Sequence, residues 1–328
     1  MNNSAAISLN EPQISVLIPC YNAAAFIVRT LESLLAQKPA AAEILVVDDG
    51  STDNSLAILR QFGDRIHVET GPNRGASSAR NRGLARARAP FVLFMDADDT
   101  HEGEVLGGLL DAVTELNADL AFAPCAQAGD RVVTRAMASP DTSSARSLLQ
   151  SLLHGDFAPP SAMLWRREFV SGLGGWREDL QRNEDGELQY RAVARAVRPC
   201  LSAQGRVIYW THDSPTRVTR VHSDRSMLDG HKTLLELDDL VAQTFPDDQD
   251  LRRAISSASF DYEKLTARLG MTACSQEIHR LRAERHFAQS HDDVVAQGIS
   301  RVLGPGRKER LYHFAMRVRN YLRRKLGL

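Results

Sequence analysis

Three short apolar runs in the first hundred positions each end at a polar or acidic cluster. The runs are Ile14 to Ile18, Ile44 to Val47 and Phe91 to Met95, and the clusters begin at Pro19, Asp48 and Asp96. Runs like these, apolar on both faces, are typical of central strands in a mostly parallel sheet covered by helices. Because parallel strands end at the same edge of a sheet, the three clusters are predicted to face one crevice.

The segments between these runs carry helical periodicity. A stripe at helical spacing consists of Phe26, Ile27, Thr30, Leu31, Leu34 and Leu35. A weaker strand is predicted over 66–68 and a helix with a basic face over 76–88. The resulting order, βαβαβαβ, indicates a right-handed, doubly wound α/β domain.

The rest of the chain is mixed and then helical. A helix at 105–116 and a strand at 120–122 are predicted to lead into a polar loop, with further helices near 148–153 and 185–196 and a strand at 207–210. Strand signals stop after about residue 224, and helices follow. We therefore predict an α/β domain over 1–224, with halves 13–100 and 101–224, and a helical module over 225–328.

Composition excludes several classes of protein. The net charge is −1, so no global field attracts nucleic acid. The four cysteines, at positions 20, 125, 200 and 274, have no metal-ligand spacing and predict buried free thiols. No run approaches the ~20 apolar residues that a bilayer span requires. The N-terminus lacks the pattern of a signal peptide, and we expect a cytoplasmic location.

The acidic cluster after the third run offers ligands for a cation. Asp96, Asp98 and Asp99 supply hard oxygen atoms of the kind that Mg²⁺ or Mn²⁺ prefers, with substrate phosphate completing the shell. A divalent ion there would offset the charge on a departing diphosphate. The alternative is an acidic turn that caps the next helix.

The other clusters could hold a nucleotide. Asp48 and Asp49 could accept hydrogen bonds from a base or ribose, and Tyr21 offers a ring for stacking. The alternatives are a turn built on the Asp-Gly-Ser sequence and a half-buried aromatic residue. Arg74 and Arg80 could bind phosphate, or could belong to a solvated basic helix face.

Four sequence blocks carry a family resemblance. ISVLIPCYN, EILVVDDGSTDNS, NRGASSARNRGLARA and FVLFMDADD, in this order, resemble the family 2 inverting glycosyltransferases of the GT-A fold. The resemblance implies a GT-A domain, Rossmann-like with a mostly parallel sheet and helices on both faces. It also implies that Pro19, Tyr21 and Asp49, with Asp48, hold the nucleoside. Cys20, where Thr is commoner, would contribute backbone groups.

The same resemblance assigns roles to later residues. The pair Asp96 and Asp98 resembles the metal-binding D-x-D element, while the segment that ends in Glu184 and Asp185 resembles the acceptor side. Asp185 would be the general base and Glu184 its neighbour, because inversion needs one carboxylate to take the proton of the attacking hydroxyl. The alternative is that both acids only start a helix.

Two further assignments rest on the segment YWTHDSPTR. By the resemblance, His212 would complete the metal shell or touch the diphosphate, and Arg217 would touch phosphate. A lone histidine is also often structural.

The C-terminal segment 307–328 combines an apolar stripe with eight basic residues. Such a helix can lie on an anionic membrane surface, which would place the protein on the inner face of the cell membrane. It can equally pack on the protein with a solvated basic side.

Together these features predict an inverting hexosyl- or N-acetylhexosaminyltransferase that uses Mg²⁺ or Mn²⁺. It would move sugar from a nucleotide-diphospho-sugar, by default a UDP-sugar, to a hydroxyl of a glycan or lipid-linked acceptor in cell-surface polysaccharide or glycoconjugate synthesis. The alternatives are an inactive nucleotide-sugar-binding or scaffold protein, and a Mg²⁺-dependent nucleotidyltransferase or phosphatase.

Overall fold

The computed structural model describes residues 13–129, 132–156, 158–212, 222–285 and 287. Its strands are β1 Ile14–Cys20, β2 Glu43–Asp48, β3 His67–Thr70, β4 Phe91–Phe94, β5 Thr100–Glu102, β6 Leu120–Phe122, β7 Cys125–Gly129, β8 Val132–Ala136, β9 Met163–Arg166, β10 Pro199–Leu201 and β11 Arg206–Thr211. Its α-helices are α1 Ile27–Leu35, α2 Ser55–Arg60, α3 Ala76–Arg86, α4 Val105–Glu115, α5 Ala145–Leu153, α6 Arg167–Gly172, α7 Glu184–Ala194, α8 Asp224–Thr244, α9 Gln249–Arg268 and α10 Thr272–Glu284.

The main sheet confirms the α/β prediction. Its strand order is β10-β6-β9-β4-β1-β2-β3. Strand β1 pairs in parallel with both β2 and β4, and β2 pairs in parallel with β3. Strand β9 runs antiparallel to both of its neighbours, so the sheet is mostly parallel rather than wholly so. The strand ends at Cys20, Asp48 and Phe94 therefore share one edge, as the apolar runs predicted.

Helices cover both faces of this sheet. On one face, Val16 and Ile18 join the core cluster that contains Ile27 and Leu31 of α1. Leu17 points to the other face, where a Cβ on Gly83 of α3 would lie 3.3 Å from the Leu17 Cβ. Alternate residues of β1 thus pack against helices on opposite sides, which explains why the run has no polar face.

The prediction of a polar loop after Phe122 is wrong. Strands β7 and β8 occupy this stretch, and they join β5 and β11 in a second sheet of order β5-β11-β7-β8. The sequence of β7, CAQAG, has little intrinsic strand preference. Its parallel pairing with β11, including Gly129 opposite Thr211, supplies the stability that the local sequence lacks.

The chain divides into two compact units, Met1–Leu251 and Arg252–Leu328. Helix α8 lies in the first unit, and α10 lies in the second. These are units of packing, and the catalytic-domain boundary predicted after residue 224 stays a prediction. Among the helices in the described ranges, none has the length and apolar character needed to cross a membrane. The segment predicted as a basic amphipathic helix, 307–328, lies outside the described residues.

Candidate active site

Asn22 ties the end of β1 to the loop after β2. Its backbone N–H donates to Ser51 Oγ at 3.0 Å, and its side-chain oxygen accepts from the Thr52 N–H at 2.7 Å. Asn22 adopts φ 49°, a left-handed conformation that asparagine tolerates better than most residues. Tyr21, just before it, is 43% exposed. The ring is therefore open to a planar ligand at this edge, while the loops around it are fixed.

Asp48 and Asp49 are both buried and already hydrogen-bonded within the protein. Asp48 accepts from Thr70 Oγ1 at 2.7 Å, which joins the ends of β2 and β3. Asp49 accepts from the backbone N–H of Arg74 at 3.0 Å and of Gly75 at 2.7 Å. The exposed Arg74 side chain takes no part in this contact. Each carboxylate can accept further bonds, so ordering the loop before α3 and receiving a nucleoside are compatible roles.

The loop after β4 is held from three sides. Ser161 Oγ accepts from the Asp96 N–H at 3.0 Å and donates to Asp99 Oδ2 at 2.7 Å. The second oxygen of Asp99 accepts from the Trp210 N–H at 3.1 Å. Thr30 Oγ1 of α1 contacts the Asp99 carbonyl at 2.8 Å. Asp99 is completely buried and fixes the loop, whereas Asp96 and Asp98 remain partly exposed on it.

Arg80 connects this loop to Glu184, one of the two carboxylates predicted for the acceptor side. Its guanidinium pairs with Asp96 at 2.8 Å and lies 3.6 Å from Glu184 Oε1, although these residues are far apart in sequence. It also lies over the Trp176 ring, 4.3 Å from the centroid. The Arg80 side chain is only 6% exposed. A solvated basic helix face, one of the two predicted alternatives, is therefore wrong for Arg80, because its charge is buried among carboxylates.

The electrostatics of this cluster raise the pKa values of Asp96 and Asp185. Burial and the neighbouring Glu184 raise the pKa of Asp185 to about 6. Burial and the Asp98 charge likewise raise the pKa of Asp96, against the opposing effect of Arg80. Burial opposes the Arg80 charge, but the carboxylates of Asp96 and Glu184 outweigh it and raise the Arg80 pKa. Arg80 therefore stays charged, while Asp185 can exchange a proton near neutral pH.

His212 lies beside Asp98, the second aspartate of the predicted D-x-D element. Its Nε2 is 2.8 Å from Asp98 Oδ2. The imidazole stacks on Phe26, the N-cap residue of α1, at a centroid distance of 4.2 Å. Arg29, one turn further along α1, donates to the Asp98 carbonyl at 2.9 Å and lies 4.1 Å from the Trp210 ring centroid. Helix α1 thus supports both Asp98 and the end of β11.

These donors fit a divalent cation that takes other ligands from its substrate. No group of three or more His, Cys, Asp or Glu side chains forms a metal site within the described ranges. The Asp98 carboxylate and the His212 imidazole do lie in contact with each other. A pair of oxygen and nitrogen donors suits Mn²⁺ better than Mg²⁺. Two protein ligands are enough where phosphate oxygens and water complete the shell.

The structure brings most of the predicted residues to one edge of the sheet. Close contacts join Arg80, Asp96 and Glu184, and a separate one joins Asp98 to His212. At the neighbouring strands β1 and β2, Pro19, Cys20 and Asp48 are the last strand residues, and Tyr21 and Asp49 follow directly. Arg217 lies outside the described residues. The catalytic, nucleotide and metal roles of all these residues stay predictions.

Cys20 is buried, and burial with the nearby Asp48 raises its pKa to about 12. Its thiol is therefore unreactive at neutral pH, as expected for a residue that contributes mainly backbone groups. All four cysteines are buried and free, as predicted.

Sequence reasoning missed the residues that hold the site together. Asn81 donates to the Trp176 carbonyl and accepts from the Trp176 N–H, both at 2.8 Å. These two hydrogen bonds hold the segment after α6 against α3 and place the Trp176 indole over Arg80. The only sequence signal for Asn81 is its position directly after Arg80, which is predicted as a candidate phosphate ligand. Phe26 and Arg29 gave none, because their spacing is that of an ordinary amphipathic helix.

The mostly parallel sheet, with helices on both faces and carboxylates at its strand ends, has the GT-A type of fold. The crystal structure of Staphylococcus aureus TarS 1-349 in complex with UDP-GlcNAc matches with a TM-score of 0.60, covering 75% of this chain and 71% of that one. The two sequences are 21% identical, so the match establishes a shared fold.

Sequence comparison gives the family. The Glycosyl transferase family 2 model matches residues 15–173. The uncharacterized protein MT1568 of Mycobacterium tuberculosis is 32% identical over 251 residues, which cover 70% of this chain and 78% of that protein. The chain belongs to glycosyl transferase family 2.

A named relative comes from polysaccharide biosynthesis. The putative teichuronic acid biosynthesis glycosyltransferase TuaG of Bacillus subtilis is 38% identical over 116 residues, or 34% of this chain. The match spans 46% of that relative, less than half of its length. It supports membership of the family and leaves the particular glycan open.

Proposed function

We propose that this protein is an inverting glycosyltransferase that transfers a sugar from a UDP-sugar to the hydroxyl of a glycan or lipid-linked acceptor. The observation that carries the proposal is the ion-pair cluster in which Arg80 lies between Asp96 and Glu184. The cluster supports the proposal because it links Asp96, of the proposed D-x-D element, to Glu184, which directly precedes the proposed base, Asp185. A transferase that works by direct displacement needs both groups beside the same carbon atom.

Asp185 is the proposed base. Its carboxylate takes the proton from the acceptor hydroxyl while the oxygen of that hydroxyl attacks the anomeric carbon. The bond from this carbon to the diphosphate oxygen breaks at the same time, and UDP leaves with the bonding pair. A pKa of about 6 keeps Asp185 ionised at neutral pH and still basic enough to accept the proton. One displacement inverts the configuration at the anomeric carbon, so no second carboxylate is needed as a nucleophile.

The donor side is proposed to bind the nucleotide diphosphate. Tyr21 offers its exposed ring to the uracil, with Pro19 and the Cys20 backbone beside it and the Asp48 and Asp49 carboxylates near the ribose. Asp98, His212 and Asp96 would hold Mn²⁺ or Mg²⁺, which supplies positive charge to the leaving diphosphate when bound. TarS was crystallised with UDP-GlcNAc and with UDP, which supports a uridine nucleotide here.

The proposal is tested by a donor screen with the full chain. UDP-glucose, UDP-galactose and UDP-N-acetylglucosamine are each incubated with Mn²⁺ or EDTA, and UDP release is measured with and without glycan extracts as acceptors. We expect Mn²⁺-dependent release of UDP, and an acceptor-linked sugar whose anomeric configuration is opposite to that of the donor by NMR. Release of inorganic phosphate or pyrophosphate would instead favour a phosphatase or nucleotidyltransferase, and retained configuration would contradict inversion.

A further inference from the structure

One face of helix α8 holds the segment that leads into the candidate base. Three residues of α8 are spaced four and three positions apart and therefore lie on one side of the helix. Each of them forms a hydrogen bond with a residue between positions 177 and 183. The pairs are Asp229 Oδ2 with the Gln181 N–H at 3.1 Å, Thr233 Oγ1 with Asn183 Nδ2 at 2.7 Å, and Glu236 Oε2 with Arg177 Nη1 at 2.6 Å. The contact nearest to Asp185 is the one between Thr233 and Asn183.

Asn183 has an unusual conformation directly before the two acids. Its φ is 61°, in the left-handed region, and it is the N-cap of α7. An N-cap asparagine ordinarily bonds the backbone of the first turn, but the Asn183 side chain makes no such bond. Its amide instead packs over Gly186, where a Cβ would lie only 2.3 Å from Asn183 Oδ1. Cap bonding therefore does not explain the conformation of Asn183.

The Thr233 hydroxyl supplies the missing restraint. It donates to the Gly230 carbonyl at 2.8 Å and accepts from Asn183 Nδ2 at 2.7 Å, so both of its hydrogen-bonding functions are used. Thr233 is 1% exposed, which keeps water from replacing either bond. The Asn183 carbonyl in turn accepts from the Glu187 N–H at 2.9 Å and closes the first turn of α7 around Asp185.

We propose that Thr233, acting through Asn183, is a positioning residue for Asp185. The hydroxyl fixes the Asn183 amide, the amide fixes the left-handed turn, and the turn sets where the Asp185 carboxylate points. The functional part of the proposal rests on the proposed role of Asp185 as base. Thr233 lies outside the ion-pair cluster of Arg80, Asp96 and Glu184, and it acts on Asp185 only through its bond to Asn183.

The test compares two substitutions at one position. Thr233→Val keeps the shape of the side chain and removes the hydroxyl, whereas Thr233→Ser keeps the hydroxyl. UDP release from the three UDP-sugars is measured with the full chain and Mn²⁺. We expect Thr233→Val to lower kcat by about ten- to a hundredfold, the effect of a displacement on the order of 1 Å, with the donor KM within about twofold. Thr233→Ser should restore kcat to near the wild-type value.

Glu236→Gln is the matched control on the same helix face. Arg177 keeps its 2.5 Å pair with Asp179 when Glu236 is neutralised, so kcat should stay near wild type. Amide exchange followed by mass spectrometry over 183–188 supplies a readout that needs no donor, and Thr233→Val should speed exchange there. Unchanged kcat and unchanged exchange in Thr233→Val would overturn the proposal, as would equal losses of kcat in Thr233→Val and Glu236→Gln.

The two proposals fail in different ways. If Asp185→Asn abolishes UDP release and Thr233→Val does not change it, the positioning role is wrong and the base stands. If the wild-type chain uses no donor at all, the proposed function fails, and the exchange comparison still decides whether Thr233 holds the turn.

Discussion

The Nε2 atom of His212 lies 2.8 Å from Oδ2 of Asp98, although the two residues are 114 positions apart in the sequence. The contact joins the end of β11 in the smaller sheet to the loop after β4 in the larger one. Phe26 stacks on the imidazole and limits its rotation. The pair is therefore held in place by side chains from three separate parts of the chain.

Replacing His212 by alanine is expected to weaken metal binding. If His212 and Asp98 both bind Mn²⁺, removing the imidazole leaves one fewer protein ligand and frees the Asp98 side chain. The apparent Mn²⁺ affinity in donor turnover should fall about ten- to a hundredfold. His67→Ala, at an exposed position of edge strand β3, is the control. An unchanged Mn²⁺ titration for His212→Ala would remove His212 from the metal shell.

The pH dependence of turnover should report Asp185. Because its pKa is raised to about 6, the carboxylate is protonated and inactive as a base below that pH. We expect kcat/KM to rise about tenfold per pH unit below 6 and to level off above it. The measurement is a pH profile of UDP release from pH 5 to 8 at fixed Mn²⁺. A flat profile through pH 6 would contradict the assignment.

Replacing Asp185 by asparagine should stabilise the fold at neutral pH. The folded-state pKa, about 6, is above the ordinary value of 3.8, so ionisation costs more in the folded chain than in the unfolded chain. The cost is fully present above pH 6 and disappears as the pH falls below 3.8. A gain of about 1 kcal/mol would raise Tm by roughly 2–4 °C at pH 7.5.

Asp179→Asn is the control with the opposite sign. Arg177 lowers the pKa of Asp179 to about 2, so its ionised form favours the folded chain. This substitution should lower Tm at pH 7.5. A lowered Tm of Asp185→Asn at pH 7.5 would show that the ionised Asp185 carboxylate does not destabilise the folded chain.

Arg80 should be essential for the stability of the cluster. Replacing it by methionine removes the cation and leaves the carboxylates of Asp96 and Glu184 without their shared partner. Breaking a buried pair in this way typically costs about 3–5 kcal/mol, which urea unfolding would measure. Arg86→Met, on the same helix with a side chain that is 70% exposed, should change stability by less than about 0.5 kcal/mol. Equal effects of the two substitutions would contradict a buried role for Arg80.

The membrane-surface prediction concerns 307–328 and can be tested without any structural assumption. If this segment binds anionic lipid, the full chain should sediment with vesicles that contain phosphatidylserine, and high salt should release it. Removing residues 307–328 should abolish sedimentation. Equal sedimentation of both forms would contradict the prediction.

Much of the fold could be predicted because its signals are local. The runs within β1, β2 and β4 are apolar on both faces, and Asp48 and Asp96 mark where two of them end. Strand direction then places those aspartates at one edge. In the smaller sheet, the sequence predicts β11 as a strand at 207–210, whereas it does not predict β5, β7 or β8. The residues of β7, CAQAG, become strand through pairing with β11.

The contacts that complete the site cannot be predicted from the spacing of residues in the sequence. Asp98 meets His212, and Arg80 meets Glu184, only after separate segments have folded back on the sheet. The left-handed φ of Asn183 likewise depends on a bond to Thr233, fifty positions later. Sequence patterns could name the acids and the histidine. They could not supply the residues that hold them in place.

The most direct test of the proposed mechanism is sugar transfer by Asp185→Asn. The variant keeps the size of the side chain and removes its basicity, while the donor-side residues are untouched. With an active donor from the screen and Mn²⁺, we predict that UDP binding stays within about twofold of wild type and that transfer falls by about 10²–10⁴-fold. Full transfer activity in a folded Asp185→Asn chain would contradict the account.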